Sequence, residues 1–112
     1  MTYAEKLKDP RWQKKRLEVL TRDGWKCTNC HNSKENLHVH HLSYIWDKNP
    51  WEYHLSNFKT LCKSCHEEEE MYKSRFNSLV YDLQTMGFLY SDFESALLIM
   101  YHKVKKLKNG NI

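Results

Sequence analysis

Glycine and proline are scarce in this chain, with 3 and 2 in 112 residues. A sequence so poor in turn-forming residues does not suit a sandwich or barrel built from many tight turns. Long apolar runs are also missing, because the run at residues 96–101 is far too short to cross a bilayer. The N-terminus is charged and lacks the apolar segment typical of a secretory signal, so we expect a cytoplasmic protein with no membrane partner.

Positive charge is concentrated at the start of the chain. The first 26 residues hold eight lysines and arginines against four acidic residues, within a formal net charge of +4 for the whole chain. A basic segment of this kind is typical of proteins with an anionic partner, and nucleic acid is the obvious candidate. It also fits the solvated face of an ordinary helix, and charge alone does not separate the two interpretations.

Local patterns predict an α+β fold. Asp9 and Pro10 have the form of a helix start, and the apolar residues that follow at helical spacing are candidate core anchors, namely Trp12, Val19 and Leu20. Residues 37–46 lack glycine and proline and alternate at first, which predicts a strand, and residues 58–61 are expected to pair back onto it. A long helix is expected from about residue 62 to Gly87, and a capping box at Ser91 predicts a last helix.

The four cysteines form two CxxC pairs, Cys27 with Cys30 and Cys62 with Cys65. Each pair can present two thiolates in a tight turn, so the two pairs together suit one tetrahedral zinc ion. In a cytoplasmic chain four cysteines are more often metal ligands than disulfides. The 31 residues between Cys30 and Cys62 leave room for a hairpin between the pairs.

A histidine follows each CxxC pair, and this pattern has other interpretations. His31 and His66 complete the CxxCH sequence that attaches c-type haem. That chemistry requires export, which the charged N-terminus does not predict. A redox-active CxxC is a further interpretation, although two pairs in one short chain fit a shared metal ion better.

Three more polar residues lie at suggestive positions around the second CxxC pair. His40 and His41 are adjacent, Asn57 lies sixteen residues after His41, and His66 follows Cys65 directly. Adjacent residues of a regular strand point to opposite faces, so a bend at the strand end would let one histidine bind a metal while the other faces a substrate. His66, in the first turn of the next helix, can complete a site with His40. The Asn57 amide can hold the intervening loop by hydrogen bonds.

This combination of motifs resembles the HNH endonucleases of the ββα-metal type. The resemblance covers about residues 12–70 and rests on the CxxC pairs, LHVHHL at 37–42, Asn57 and LCKSCH at 61–66. The segments KDPRW at 8–12 and RDGWKC at 22–27 also look like the N-terminal part of small phage and bacterial members. The resemblance implies a ββα-metal core stapled by a four-cysteine zinc site, with an N-terminal helix before it and a C-terminal helical hairpin after it.

The same resemblance implies a metal-dependent endonuclease that hydrolyses DNA phosphodiester bonds, by nicking or double-strand cleavage, and leaves 3′-hydroxyl and 5′-phosphate ends. His41 would be the general base, and Asn57 would position its loop. His40 and His66 would bind the catalytic divalent ion, which we expect to be Mg²⁺ or Mn²⁺, with Zn²⁺ or Ni²⁺ as alternatives. A structural Zn²⁺ would be held separately by Cys27, Cys30, Cys62 and Cys65. A neutral imidazole can accept a proton at physiological pH, which suits this chemistry.

Glu70 lies four residues after His66, where many members of the family carry another histidine. It would share a helix face with His66 and can supply an oxygen ligand. Residues 67–70 also suit a solvated acidic start of a helix, where the helix dipole favours negative charge. On this balance we leave Glu70 outside the predicted ligand set.

The chain is expected to divide near residue 70. Residues 1–70 would form the nuclease core with its basic helix, and residues 71–112 a helical extension. The extension would pack on the core or form a homodimer interface through its two amphipathic helices. The alternative function is a zinc-stabilised DNA-binding module without catalysis, which has no need for the full set of His41, Asn57 and His66.

Overall fold

The structure of the protein, a computed structural model, describes residues 1–45 and 47–110. The fold is α+β, as predicted. Its helices are α1 (Tyr3–Leu7), α2 (Pro10–Arg22), α3 (Lys63–Thr85) and α4 (Tyr90–Gly110), and its strands are β1 (Leu37–His41) and β2 (Phe58–Cys62). Two short 3-10 turns, Pro50–Glu52 and Leu55–Asn57, lie between the strands. Strand β1 is shorter than the predicted 37–46, and Trp46 lies outside the described residues.

Strands β1 and β2 form a two-stranded antiparallel sheet in which His41 lies opposite Phe58 and Val39 opposite Thr60. The backbone of Thr60 is also paired on the side away from β1. Its N–H donates to the Asp23 carboxylate at 3.0 Å, and its carbonyl accepts from the N–H and the hydroxyl of Thr28 at 2.9 and 3.0 Å. The middle of β2 is therefore protected against pairing with another chain.

The core lies between α2 and the sheet. Helix α2 begins as predicted, with Asp9 accepting from the Arg11 N–H and Pro10 in the first turn. Its three predicted anchors, Trp12, Val19 and Leu20, are all buried. Trp12 and Val19 pack with Tyr53 and Phe58, and a second small cluster contains Cys27, Leu61 and Cys62. The core is small, and the two buried cysteines are part of it.

Arg22, at the end of α2, connects that helix by hydrogen bonds to the start of β2 and to the turn before it. Its guanidinium donates to the carbonyls of Leu55 and Phe58, both at 2.6 Å, and forms two hydrogen bonds with the Asp23 carboxylate. Burial raises the pKa of Asp23, but the hydrogen bonds from Arg22 and Thr60 outweigh burial and lower that pKa. Asp23 therefore stays ionised and holds β2 at neutral pH.

Replacing Arg22 by alanine should destabilise the protein by about 2 kcal/mol, because two carbonyls lose a charged donor and Asp23 loses its partner. Urea unfolding of Arg22→Ala beside Lys14→Ala, an exposed lysine of the same helix, measures this. The Lys14 variant should stay within about 0.5 kcal/mol of the parent. Equal urea midpoints of unfolding for the two variants would show that the hydrogen bonds of Arg22 do not stabilise the packing of α2.

Two compact units are found, Met1–Met71 and the residues from Tyr72 onward, which we call the C-terminal unit. The C-terminal unit contains the second half of α3 and all of α4. Helix α4 begins one residue before the predicted capping box, and Asp92 accepts from the N–H of Leu89 at 2.8 Å. Among the described residues, no helix combines the length and apolar character needed to cross a membrane.

Candidate metal centres and active site

The four cysteines converge, as their spacing predicts. Their Sγ atoms lie 3.6–3.9 Å apart, with Cys30 and Cys62 at 3.7 Å. A disulfide needs sulfurs about 2.05 Å apart, so these cysteines are not bonded to one another. A tetrahedral ion with Zn–S bonds of about 2.3 Å places its sulfurs about 3.8 Å apart. The cluster can therefore hold a metal ion with little movement.

Secondary structure and backbone N–H groups place these sulfurs. Cys27 lies in the turn after α2, Cys62 ends β2, and Cys65 is in the first turn of α3. The Asn29 N–H points at Cys27 Sγ at 3.4 Å, and the Cys65 N–H points at Cys62 Sγ at 3.5 Å. Burial raises the pKa of Cys27, but backbone hydrogen bonds outweigh it and lower the pKa to about 6. The backbone bonds therefore favour the metal-binding thiolate at Cys27. At Cys62 the Cys65 N–H lowers the pKa, but burial and the bond to Glu35 together raise it.

A second group of metal-binding side chains contains His40, His66 and Glu70. One ligand atom from each lies within 4.8 Å of the others. His40 comes from β1, whereas His66 and Glu70 are one turn apart on α3. An ion with bonds of about 2.1 Å needs donor atoms about 3–4 Å apart, so small side-chain rotations would suffice to close the group. Two imidazoles and a carboxylate suit a divalent ion and leave coordination positions open.

Glu70 is the main difference between this group and the sequence prediction. The sequence favours a solvated carboxylate at Glu70, and the structure keeps Glu70 exposed but places it within 4.8 Å of ligand atoms of the two histidines. The cause is helical geometry, because residues at i and i+4 lie on one face and His66 already faces β1. The neighbouring acidic residues at 67 and 68 are not in the group.

His38 is a further residue that sequence reasoning missed. Its ring stacks on that of His66, with centroids 5.2 Å apart and an angle of 17° between the planes. His40 meets the same ring edge-on at 5.3 Å. His38 and His40 alternate along β1, so both lie on the face that meets α3. The alternation in LHVHH was the available signal, and it indicates that His38 helps to hold the ring of His66.

His41, the predicted general base, lies at the end of β1 and is only 5% exposed. The rings of Trp12 and Tyr44 stack on it at 5.5 and 4.8 Å. Phe58 and Tyr53 meet it edge-on at 4.7 and 5.2 Å. The sequence predicts a histidine that faces a substrate, and the structure instead encloses its ring in an aromatic cage. Tyr44 is itself 61% exposed, so it is the outer wall of that cage.

The hydrogen bonding of His41 fixes its tautomer. The ring bonds to the backbone of Pro50, and because proline has no N–H, the ring must donate to the Pro50 carbonyl. Nε2 is buried and has no hydrogen-bond partner among the described residues, so Nδ1 carries the proton and Nε2 keeps its lone pair. Burial lowers the pKa of His41, and the nearby His40 lowers it further against the bond to Pro50. The neutral, proton-accepting form is therefore favoured.

One open cleft of about 410 Å³ brings the histidines together. His40, His41 and His66 all line it, along with Arg16 of α2 and Tyr3 of α1. Tyr3 hydrogen-bonds the hydroxyl of Tyr44, and burial raises the pKa of Tyr44 to about 12. The two histidines of the candidate metal group and the candidate base therefore border the same space, and Arg16 adds a positive charge to it.

Asn57 ties down the chain just after His41. Its side-chain carbonyl accepts from the Ser43 hydroxyl at 2.8 Å, and its amide donates to the Ser43 carbonyl at 2.9 Å. Its backbone carbonyl accepts from the Leu42 N–H at 2.8 Å. Asn57, the last residue of the second 3-10 turn, thus fixes the positions of the two residues that follow His41.

Comparison of the chain with models of protein families, with curated proteins and with solved structures finds no match. The function of these clusters is therefore inferred from their own geometry and chemistry. That geometry comprises a four-sulfur cluster, a His–His–Glu group and a caged histidine with a free nitrogen, all within residues 1–71.

Proposed function

We propose that the protein is a metal-dependent endonuclease of the HNH type that hydrolyses DNA phosphodiester bonds. One observation carries the proposal. His40 and His66 of the His–His–Glu group border the same cleft as His41, a neutral histidine whose buried Nε2 has no hydrogen-bond partner among the described residues. Hydrolysis of a phosphodiester needs both parts, a base for water and a positive centre for the phosphate.

The metal would be held by His40, His66 and Glu70, whose ligand atoms fit a divalent ion as described above. When bound, it would act as a Lewis acid that stabilises negative charge on the phosphate and on the leaving oxygen. The mixed nitrogen and oxygen donors suit Mn²⁺ and Zn²⁺, and the carboxylate also admits Mg²⁺.

His41 would take a proton from the attacking water at Nε2. The bond to Pro50 keeps the other nitrogen protonated, so the ring is held in the tautomer that a base requires. Asn57 would act as a positioning residue, because it fixes Leu42 and Ser43 next to the base. Nε2 is buried, so the proposal requires the cage around His41 to open, and we assign that movement to Tyr44, the most exposed of its walls.

The DNA backbone would be drawn to the cleft by positive charge. Arg16 borders the cleft on one side of His40, and Lys59 lines a smaller cavity on the other side. Cationic side chains on both sides of a metal group are suited to a polyanion, and such contacts are independent of sequence. The four-cysteine cluster would hold a structural Zn²⁺ that fixes the junction of β2 with α3.

A zinc-stabilised DNA-binding module without catalysis is the second candidate. The burial of His41 favours it, because a caged ring can be a core residue and nothing more. Under this alternative the cysteine cluster and the basic residues keep their roles, and the His–His–Glu group has no catalytic task.

A plasmid-nicking assay with added Mg²⁺ or Mn²⁺ separates the two candidates. Supercoiled DNA should be converted to nicked circles, and EDTA should stop the reaction. His66→Ala should lower the rate at least about 100-fold, because the ion loses one of three ligands. His102→Ala, which replaces an exposed histidine of α4, is the matched control and should keep the parent rate.

Two outcomes would contradict the nuclease proposal. Nicking that is equal in the parent and in His66→Ala would exclude this group as the metal site. DNA binding without nicking under any of the divalent ions would favour the binding module.

A further inference from the structure

Lys59 lies directly opposite His40 in the two-stranded sheet. Directly opposed residues of an antiparallel pair have Cα atoms about 4.5–5.5 Å apart and project their side chains from the same face. That face meets α3, because His40 shares the candidate metal group with His66 and Glu70 of this helix. The register of the sheet therefore holds a lysine beside a candidate metal ligand.

Lys59 and His40 border one cavity of about 160 Å³, which we call the Lys59 cavity. A single water needs only about 10–15 Å³ of such space, so the cavity can also admit a phosphate group. Besides the sheet, its walls come from the first CxxC pair and from α3, namely Thr28, Asn29, Cys65 and Glu69. His40 also borders the larger cleft that contains His41 and Arg16, so it is common to both spaces.

Lys59 carries a positive charge that no acidic side chain of the described residues neutralises. The residue is exposed, and in the described part of the chain its ammonium takes part in no ion pair. Glu69 lines the same cavity without pairing with it. A divalent ion on the neighbouring metal group would be repelled by this ammonium, and the repulsion weakens metal binding. An anion that touches both the ion and the ammonium would replace this repulsion by two attractions.

We propose that the Lys59 cavity is a phosphate subsite, in which the Lys59 ammonium binds an oxygen of the phosphate group held by the metal ion. The inference rests on the proposed function, which makes that phosphate part of a DNA strand. A phosphate with one oxygen on the ion has other oxygens for an ammonium, and hydrogen bonds between such charged partners are the strong ones. Lys59 would thus touch the reacting group and stabilise its charge from the side away from Arg16.

Glu69 separates this subsite from a purely structural role of Lys59. If Lys59 served to hold α3 by an ion pair with Glu69, replacing either residue would weaken metal binding and phosphate binding alike. If the ammonium binds phosphate, the Glu69 carboxylate instead repels that phosphate across the cavity. Glu69→Gln should then leave phosphate binding equal to that of the parent or make it tighter, whereas Lys59→Gln should weaken it.

Two titrations of the full chain with one equivalent of zinc test the proposal without any DNA. Calorimetry measures the affinity for Mn²⁺, and broadening of the ³¹P resonance then measures the affinity of the Mn²⁺-loaded protein for inorganic phosphate. Lys59→Gln should bind Mn²⁺ as tightly as the parent or up to about tenfold more tightly, because a like charge is removed. It should bind phosphate at least about tenfold more weakly, the usual effect of losing a charged hydrogen bond.

Two further lysine variants serve as controls. Lys59→Arg keeps the charge and should retain phosphate affinity within about threefold of the parent. Lys34→Gln removes the same charge from an exposed lysine outside the cavity, and it should change neither affinity by more than about twofold. In the plasmid assay, Lys59→Gln should lower kcat/KM at least about tenfold, while Lys34→Gln should keep the parent value.

The outcomes separate the subsite from the nuclease proposal. A protein that binds Mn²⁺ and phosphate equally well with lysine or glutamine at position 59 would overturn the subsite and leave the nuclease proposal standing. Equal losses in Lys59→Gln and Glu69→Gln would also overturn it, in favour of a structural ion pair. Lys59-dependent phosphate binding without nicking would support the subsite and contradict the nuclease. A parent that binds no Mn²⁺ would overturn both.

Discussion

Replacing His41 is expected to lower plasmid nicking by a factor of about 10²–10⁴, the usual contribution of a general base. The reason is that Nε2 keeps a free lone pair, although it is buried until the cage around His41 opens. His41→Ala would also leave a cavity among aromatic rings, and that cavity costs stability. His41→Gln is therefore the sharper variant, because its amide can still donate to the Pro50 carbonyl but cannot act as a base.

The control for this prediction must disturb the same cage without touching the base. Tyr53→Phe does so, because it removes a hydroxyl that bonds only to the backbone of Ile45 and keeps the ring beside His41. We expect nicking within about tenfold of the parent in Tyr53→Phe. Melting curves should show that His41→Gln and Tyr53→Phe are both folded at the assay temperature. Full activity in a folded His41→Gln protein would assign His41 to the core and leave the reaction without its proposed base.

The parts of the fold that depend on local sequence were predictable. The start of α2 follows from Asp9, whose side chain caps the helix, and from Pro10, whose ring suits the first turn. The hairpin follows from two short β-rich segments between the CxxC pairs, and β2 does pair back on β1. The convergence of the four sulfurs follows from chemistry, because a zinc shell needs both pairs. Each of these features can be predicted either from residues that are close in the sequence or from the number of ligands that a zinc ion needs.

The environment of each histidine was not predictable in the same way. Glu70 joins the metal group, and His38 stacks on His66, because α3 packs beside β1, and no local pattern specifies that long-range contact. Tyr44 covers His41 because the loop after β1 is held by Asn57, fourteen residues away from Ser43. The sequence indicated that Asn57 holds a loop but not that the loop would bring a tyrosine onto the base. Packing at long range decides whether a candidate base is open or enclosed.

The α3 and α4 helices show another limit of sequence reasoning. The sequence shows their apolar stripes, and these stripes predict that the helices pack either on the core or on a second copy of the chain. The stripes specify that a partner is needed, but a heptad pattern reads the same whether the partner helix belongs to this chain or another.

Substituting Cys62 by serine should produce the largest loss of stability in the chain. Cys62 is 1% exposed, ends β2 and lies 3.7 Å from Cys30 Sγ. Serine keeps the size but does not ionise near neutral pH, so the ion would lose one of four ligands. Because structural zinc contributes on the order of 10 kcal/mol in small domains, losing much of its affinity should lower the melting temperature by more than about 15 °C.

Ser64→Ala is the matched control for Cys62→Ser, since Ser64 lies inside the same CxxC pair but offers no sulfur, and its hydroxyl donates to the exposed Glu35. It should keep one zinc per chain and melt within a few degrees of the parent. A Cys62→Ser protein with a full zinc content and an unchanged melting temperature would exclude a structural zinc site. Because His66 follows Cys65 directly, loss of zinc should also release the first turn of α3. Nicking should then fail in Cys62→Ser even with Mg²⁺ or Mn²⁺ in excess, while Ser64→Ala stays active.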